Sequence, residues 1–192
     1  MNRRKFLQMT GAALVGAWMM PLAARAEHFP GWEPMIYKRF FSFTEYEKRP
    51  GTEVIVVHHA GMSKDKDTTA AAIHKFHQET NGWAGIGYHY LIRKDGMIEQ
   101  GRLPDMIGAH AYGHNKNSVG ICLAGNYDIG KPPEIQVDAL KELTAWLCRK
   151  YGINPWKDGA IVGHRDVCDT ACPGKNLYKR LDELRAFCHD FE

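Results

Sequence analysis

The stretch Val54-Ile55-Val56-Val57-His58-His59, bounded by Gly51 and Gly61, constrains the fold more than any other part of the chain. A strand with one wet face alternates apolar and polar residues, but this β-branched run has no polar position before its last two residues. It therefore predicts a strand inside a sheet that other elements cover on both faces. Residues 67 to 79, opening on Asp67-Thr68-Thr69 and carrying Ala70, Ile73 and Phe76, fit a helix with a polar N-cap. Gly87 to Arg93 and Met97 to Arg102 flank Lys94-Asp95-Gly96, and Asp-Gly between two such runs predicts a hairpin. Val119 to Ala124 reads as a further strand. Val137, Leu140, Leu143, Leu147 and Tyr151 recur at helical spacing between Pro132-Pro133 and Gly152. Ile161 to Gly163 is a last short strand, and Leu177, Leu181, Leu184 and Phe187 predict one closing helix. Strands interleaved with helices of this length give a single α/β domain, a central mixed β-sheet flanked by α-helices.

The first 26 residues carry a different signal. Arg3-Arg4-Lys5-Phe6-Leu7, a mildly apolar stretch from Met9 to Met20, and Ala24-Arg25-Ala26 are the three parts of a bacterial export peptide, and the paired arginines are of the twin-arginine type. Gly11 and Gly16 interrupt the apolar stretch, which falls short of the roughly 20 residues a spanning helix needs, so no membrane span is expected after cleavage. Removing this segment takes away Arg3, Arg4, Lys5 and Arg25 but no acidic residue, which turns a formal charge of +3 into 21 basic against 22 acidic side chains. That balance gives no support for nucleic acid as a partner. Residues 27–50 are rich in aromatics (Phe29, Trp32, Tyr37, Phe40, Phe41, Phe43, Tyr46) and are expected to pack on the domain that follows, 51–192.

Chemistry concentrates at two places. His58 stands where the buried run turns polar, at a strand end where sites of α/β sheets are built. His59 must point to the opposite face and reads as a packed histidine. The second place is the loop His164-Arg165-Asp166-Val167-Cys168-Asp169-Thr170-Ala171-Cys172-Pro173-Gly174. Imidazole nitrogen and thiolate sulfur are preferred zinc donors, and two histidines with one anionic ligand leave a fourth position for water. Cys168 competes with Cys172 as the sulfur ligand, and the Pro-Gly turn favours Cys172. His74 and His77 have the spacing of a metal pair on a helix but read as a solvated or partly packed face. The five cysteines are odd in number, so at least one stands outside any intramolecular disulfide, while Cys148 and Cys188 on two expected helices are candidates to meet.

Val-Ile-Val-Val-His-His at 54 to 59, Gly-Tyr-His-Tyr-Leu-Ile-Arg-Lys-Asp-Gly at 87 to 96, Gly-Ala-His-Ala at 108 to 111, Asn-Ser-Val-Gly-Ile at 117 to 121 and Gly-His-Arg-Asp-Val through Cys-Pro-Gly at 163 to 174 follow one another in the chain. Together they resemble the type 2 N-acetylmuramoyl-L-alanine amidases, a family that includes peptidoglycan recognition proteins and phage amidases. The resemblance covers about residues 51 to 185. It implies that His58, His164 and Cys172 hold Zn2+, that Tyr88 assists catalysis, and that Thr170 stands where some phage relatives have lysine. It also implies that His110 contacts substrate, with Asn115 and Asn117 in the adjoining loop. Trp83 and Tyr112, outside the matching blocks, are further candidates to line the groove, although exposed aromatics more often serve packing. Relatives acting on anhydro-muropeptides carry an acidic residue in the strand matching Gly120 to Gly125. Here that strand reads Ile121-Cys122-Leu123-Ala124, which favours the Tyr88-dependent pattern.

The expected function is zinc-dependent hydrolysis of the amide between N-acetylmuramic acid and L-alanine, by a monomer acting on peptidoglycan or muropeptides in the periplasm or cell envelope. The rival readings are a wall-binding module without activity and a muropeptide-recycling amidase. Export supplies a direct test: replacing Arg3 and Arg4 by lysine is expected to leave the precursor in the cytoplasm by cell fractionation, and undiminished export would remove the twin-arginine assignment.

Overall fold

The β-branched run forms strand β2, Val54–His59, and it is covered on both faces as its composition requires. The computed structural model describes residues 33–190, so the export segment expected at 1–26 and the start of the aromatic segment lie outside the described residues. Around β2 the chain builds β1 (Ile36–Tyr37), helix α1 (Ala70–Glu79), strands β3 (Tyr90–Ile92), β4 (Ile98–Gln100) and β5 (Ser118–Leu123), helix α2 (Glu134–Tyr151), strand β6 (Ile161–Gly163), and helices α3 (Lys175–Tyr178) and α4 (Leu181–Asp190). The strands form one six-stranded mixed sheet in the order β1-β4-β3-β5-β2-β6. β2 runs parallel to both neighbours, pairing Val57 with Ile121 of β5 and with Gly163 of β6, while β3 and β4 make the antiparallel pair.

Alternation sorts the strand residues between two layers. Ile55 and Val57 join Val119, Ile121 and Leu123 against Leu140, Leu143 and Leu147 of α2 and Leu181 and Leu184 of α4. Each leucine buried this way contributes about 1.5–3 kcal/mol, so α2 is held mainly by its apolar stripe. On the opposite face Leu91 and Cys122 meet Ala70 and Ile73 of α1, with Phe41 and Phe43 of the N-terminal segment packed beside them. That segment therefore docks in part, since Phe40 and Tyr37 face solvent.

The hairpin turns at Arg93–Gly96, where the Gly96 N–H donates to the Arg93 carbonyl at 2.9 Å and Gly96 adopts φ +85°, a conformation that costs glycine little. Two helices differ from expectation. α1 begins at Ala70, capped by Thr69 Oγ1 accepting the Ala72 N–H, because Asp67 is engaged by Arg93 and by the Lys94 N–H. The closing helix is broken in two: the Arg180 N–H returns to Leu177 at 2.9 Å in a tight three-residue turn, while its guanidinium holds Glu134 and Glu183. Cys148 and Cys188 lie in the same buried cluster, but Cys148 is a thiol and makes no disulfide with Cys188. No helix of the described residues is long and apolar enough to cross a membrane.

One carboxylate ties three of these parts together. Glu99 of β4 is fully buried, receives both Nε (3.1 Å) and Nη2 (2.9 Å) of Arg39 on one oxygen, and accepts the first N–H of α1, from Ala70, on the other at 2.6 Å. Arg39 is partly exposed, but removing the buried carboxylate leaves the first N–H of α1 without its acceptor and frees the guanidinium, so Glu99→Ala is expected to lower the unfolding free energy by about 2 kcal/mol in urea titration. A loss under about 1 kcal/mol, the scale of an exposed pair, would show that Glu99 does not organise this corner.

Candidate metal centre

Parallel pairing decides what meets at the end of the sheet. Val57 lies opposite Gly163, so the next residue of each strand, His58 and His164, emerges at the same edge, with ring centroids 4.4 Å apart. His164 opens a short 3-10 turn held by the Gly163 N–H on Asp166 Oδ2 (2.8 Å) and by the Tyr178 hydroxyl on Asp166 Oδ1 (2.6 Å). The loop then returns Cys172, fixed by the Arg165 N–H donating to its carbonyl (2.8 Å) and by its own N–H donating to Thr170 Oγ1 (3.2 Å). Cys172 Sγ lies 3.7 Å from His58 Nδ1 and accepts the His59 N–H at 3.4 Å. Donor atoms of His58, His164 and Cys172 all fall within 4.8 Å of one another, which makes this a possible His-His-Cys metal site among the described residues.

The donor set fits a divalent cation. Burial, reinforced by the charges of His164 and His59, holds His58 well below the ordinary imidazole range, and burial lowers His164 as well, so both rings are neutral and carry a lone pair. Burial also pushes the Cys172 thiol up to about 12, with the His59 N–H opposing it. A thiolate there needs a positive partner at close range, and two neutral imidazoles do not provide one. Cys168 sits outside the cluster, its Sγ directed at the Tyr112 carbonyl at 3.7 Å.

Tyr88 stands beside the centre with its ring centroid 5.1 Å from that of His58. Burial, then the neighbouring Cys122 and Cys172, raise its hydroxyl well above its usual value, so it stays protonated at neutral pH. Its backbone is fixed by the Arg102 N–H on its carbonyl. His74 and His77 are buried rather than solvated, and their Nδ1 atoms accept the Ile86 and Gly87 N–H groups at 3.2 and 3.1 Å. They brace the segment leading into Tyr88 and do not form a metal pair. His59 turns to the opposite face, where its Nδ1 accepts the Tyr127 N–H at 3.0 Å.

The residues expected to contact substrate are placed differently. His110 is buried beneath His58, its Nδ1 3.0 Å from His58 Nε2, instead of lining an open groove. Asn115 spends its Oδ1 on the His110 and Ala111 N–H groups (2.9 Å each) and shapes that loop. Asn117 lies at the other end of β2, where its carbonyl accepts the Glu53 N–H at 2.8 Å, because Ser118 pairs with Val54 while His58 pairs with Cys122. Trp83 and Tyr112 are exposed, Tyr112 to 94%. A cavity of about 530 Å³ opens between Thr44, Glu47, Trp83, Arg102, Ile107 and Ala109. Sequence reasoning missed Arg102. It is 6% exposed, donates to the Ile86 and Ile107 carbonyls, and keeps its Nη2 without a protein partner. Its adjacency to the hairpin was the one signal available.

Residues 47–175 match the family described as N-acetylmuramoyl-L-alanine amidase. The chain is 36% identical over 138 residues to an endolysin of Klebsiella phage KP32, covering 69% of this chain and 87% of that protein. The solved endolysin amidase LysCS of Clostridium intestinale superposes with a TM-score of 0.72 at 32% identity, over 80% of this chain and 97% of that one. A Drosophila PGRP-LB variant in complex with tracheal cytotoxin does so with a TM-score of 0.68 at 33% identity, over 77% and 92%. Sequence profile and sheet topology thus converge on the part of the chain that carries the His-His-Cys cluster, and the chain belongs to the N-acetylmuramoyl-L-alanine amidase family.

Proposed function

We propose that this chain is a zinc amidase of the cell envelope, exported by its first 26 residues, which hydrolyses the amide bond between N-acetylmuramic acid and L-alanine. The observation that carries the reading is the convergence of His58, His164 and Cys172 within 4.8 Å beside a protonated Tyr88. Three protein donors leave a tetrahedral position open, as a catalytic site requires and a structural one does not. A zinc ion held by these side chains would supply a Lewis acid that polarises an amide carbonyl and acidifies water to a pKa near 7.

The protein's own groups do the rest. Tyr88 keeps its proton because partial burial and the neighbouring Cys122 and Cys172 raise its hydroxyl, and it offers that proton as a hydrogen bond to an oxygen gaining negative charge. Thr170 accepts the Cys172 N–H on its oxygen, which orients the sulfur and leaves the hydroxyl proton free to donate. Having no charge, Thr170 adds a dipole only, so proton delivery to the departing alanine nitrogen falls to Tyr88 or to the attacking water. Arg102 contributes a largely buried positive charge to the lining of the cavity that exposed Trp83 borders, and exposed Tyr112 offers further aromatic surface.

Incubating the mature protein with muropeptides and weighing the products tests the activity. Release of free stem peptide is expected, abolished by a chelator and by Cys172→Ser. Release that survives chelation would eliminate the metal, and no release under any condition would favour a wall-binding module. The proton inventory gives a second test. At pH 7 the Cys172 thiol, at about 12, holds its proton while His58 and His164, both lowered, hold none to lose. Zinc uptake at pH 7 should therefore release about one proton from Cys172 and about half of one more from bound water with a pKa near 7, and affinity should rise at least tenfold per pH unit around neutrality. Calorimetry in buffers of different ionisation enthalpy reads that number directly, and a count of about one half or less would exclude Cys172 as ligand.

A further inference from the structure

His58 can serve a cation only through a ring nitrogen that carries no proton, and the structure contains a chain of hydrogen bonds that selects which one. The chain starts at an oxygen that can only accept, the carbonyl of His114. Ser118 Oγ lies 2.7 Å from it and must donate its single proton there. Toward His110 Nε2, 3.5 Å away, the same oxygen is left with lone pairs alone. His110 Nε2 therefore bears the proton of that neutral ring, and His110 Nδ1 is the acceptor. His58 Nε2, at 3.0 Å, must then be the donor, which leaves His58 Nδ1 bare and directed at Cys172 Sγ, 3.7 Å away.

The surroundings hold this chain in place. Ser118 is fully buried and His110 is 7% exposed, and burial keeps His110 neutral. Glycine flanks the His110 ring on both sides: a Cβ on Gly108 would lie 2.5 Å from His110 Cδ2, and one on Gly120 2.6 Å from Cδ2 and Cγ. Strand β5 carries glycine at this otherwise apolar position because the ring occupies the space of a side chain. Asn115 fixes the His110 backbone from below.

We propose that His110 and Ser118 are positioning residues that lock His58 in the tautomer with the proton on Nε2 and so present Nδ1 to the metal. The inference rests on the zinc reading above for its purpose, though not for its geometry. Partners of this kind are worth about 10–100-fold in metal affinity.

The test uses histidine labelled with nitrogen-15 in the metal-free mature protein, with zinc affinity measured separately by competition against a chromophoric chelator. The wild type should show His58 protonated at Nε2. Ser118→Ala frees His110 to reverse, so His58 protonated at Nδ1 should become populated and affinity should fall about tenfold. His110→Phe keeps a ring without an acceptor and should weaken zinc by about 10–100-fold. His110→Asn, whose side-chain oxygen can replace Nδ1 as acceptor, should recover most of that loss, which a merely space-filling role would not produce. A wild-type His58 protonated at Nδ1, or His110→Phe binding zinc as the wild type does, overturns the proposal. If His110→Phe fails to fold, the Ser118→Ala tautomer decides. A wild type that binds no zinc would sink the functional reading, while the tautomer in the metal-free protein would still judge this one.

Discussion

Every distance at the centre follows from the backbone pairing of Val54–His59 between two parallel neighbours. Adjacent strands in a sheet lie about 4.8 Å apart, which is the spacing needed to bring two side chains to one cation. Because Val57 is paired with Gly163, the residues just beyond them meet without any adjustment by loops. Pairing with β5 does a second service, since it sets Gly120 and Cys122 on the face of the sheet that His58 uses. The loop that brings Cys172 then needs to solve only a local problem, and its short hydrogen bonds to Thr170, Arg165 and Asp166 solve it.

Several histidines stand in this region in the uncharged form. His58, His110 and His89 lie ring against ring, at centroid distances of 5.0 and 5.5 Å, and His89 is held to about 3 by burial and by the charge of Arg49. His77, at about 4, belongs to the same pattern. A histidine whose folded value lies below its unfolded one stabilises the protein above the unfolded value near 6.5 and loses that contribution as the pH falls below it. The neutral state that leaves lone pairs available is thus also the state in which this half of the molecule is most stable.

Local pattern made much of this legible. The unbroken apolar run told of a covered strand, Asp95-Gly96 told of the turn, and the crowding of His164, Asp166, Cys168 and Cys172 into one loop marked where chemistry gathers. The resemblance supplied the pairing of that loop with His58, which no periodicity contains. What escaped depended on contacts far apart in the chain. His110 lies in a conspicuous motif, yet its depth is set by glycines at 108 and 120 that read as loop and strand residues. Asn117 directly precedes a strand that reaches the site, but it sits at that strand's far end. His74 and His77 look like a polar helix face until the 84–87 segment folds over them. Arg102 gives no sign in sequence that one of its nitrogens will be left without a protein partner.

A strand apolar on both faces is poorly defended against sliding along its neighbours, since moving it by one residue exchanges one set of valines and isoleucines for another. In β2 such a slip would put His59 where His58 belongs, so the misaligned chain would still show an imidazole at the edge of the sheet. What distinguishes the two alignments lies at the ends: Glu53 on the Asn117 carbonyl, Ala60 on Leu123, Gly61 on Gly125, and the His59 ring on the Tyr127 N–H. The second histidine of the pair, its ring turned to the opposite face, thereby acts as the alignment mark for the first.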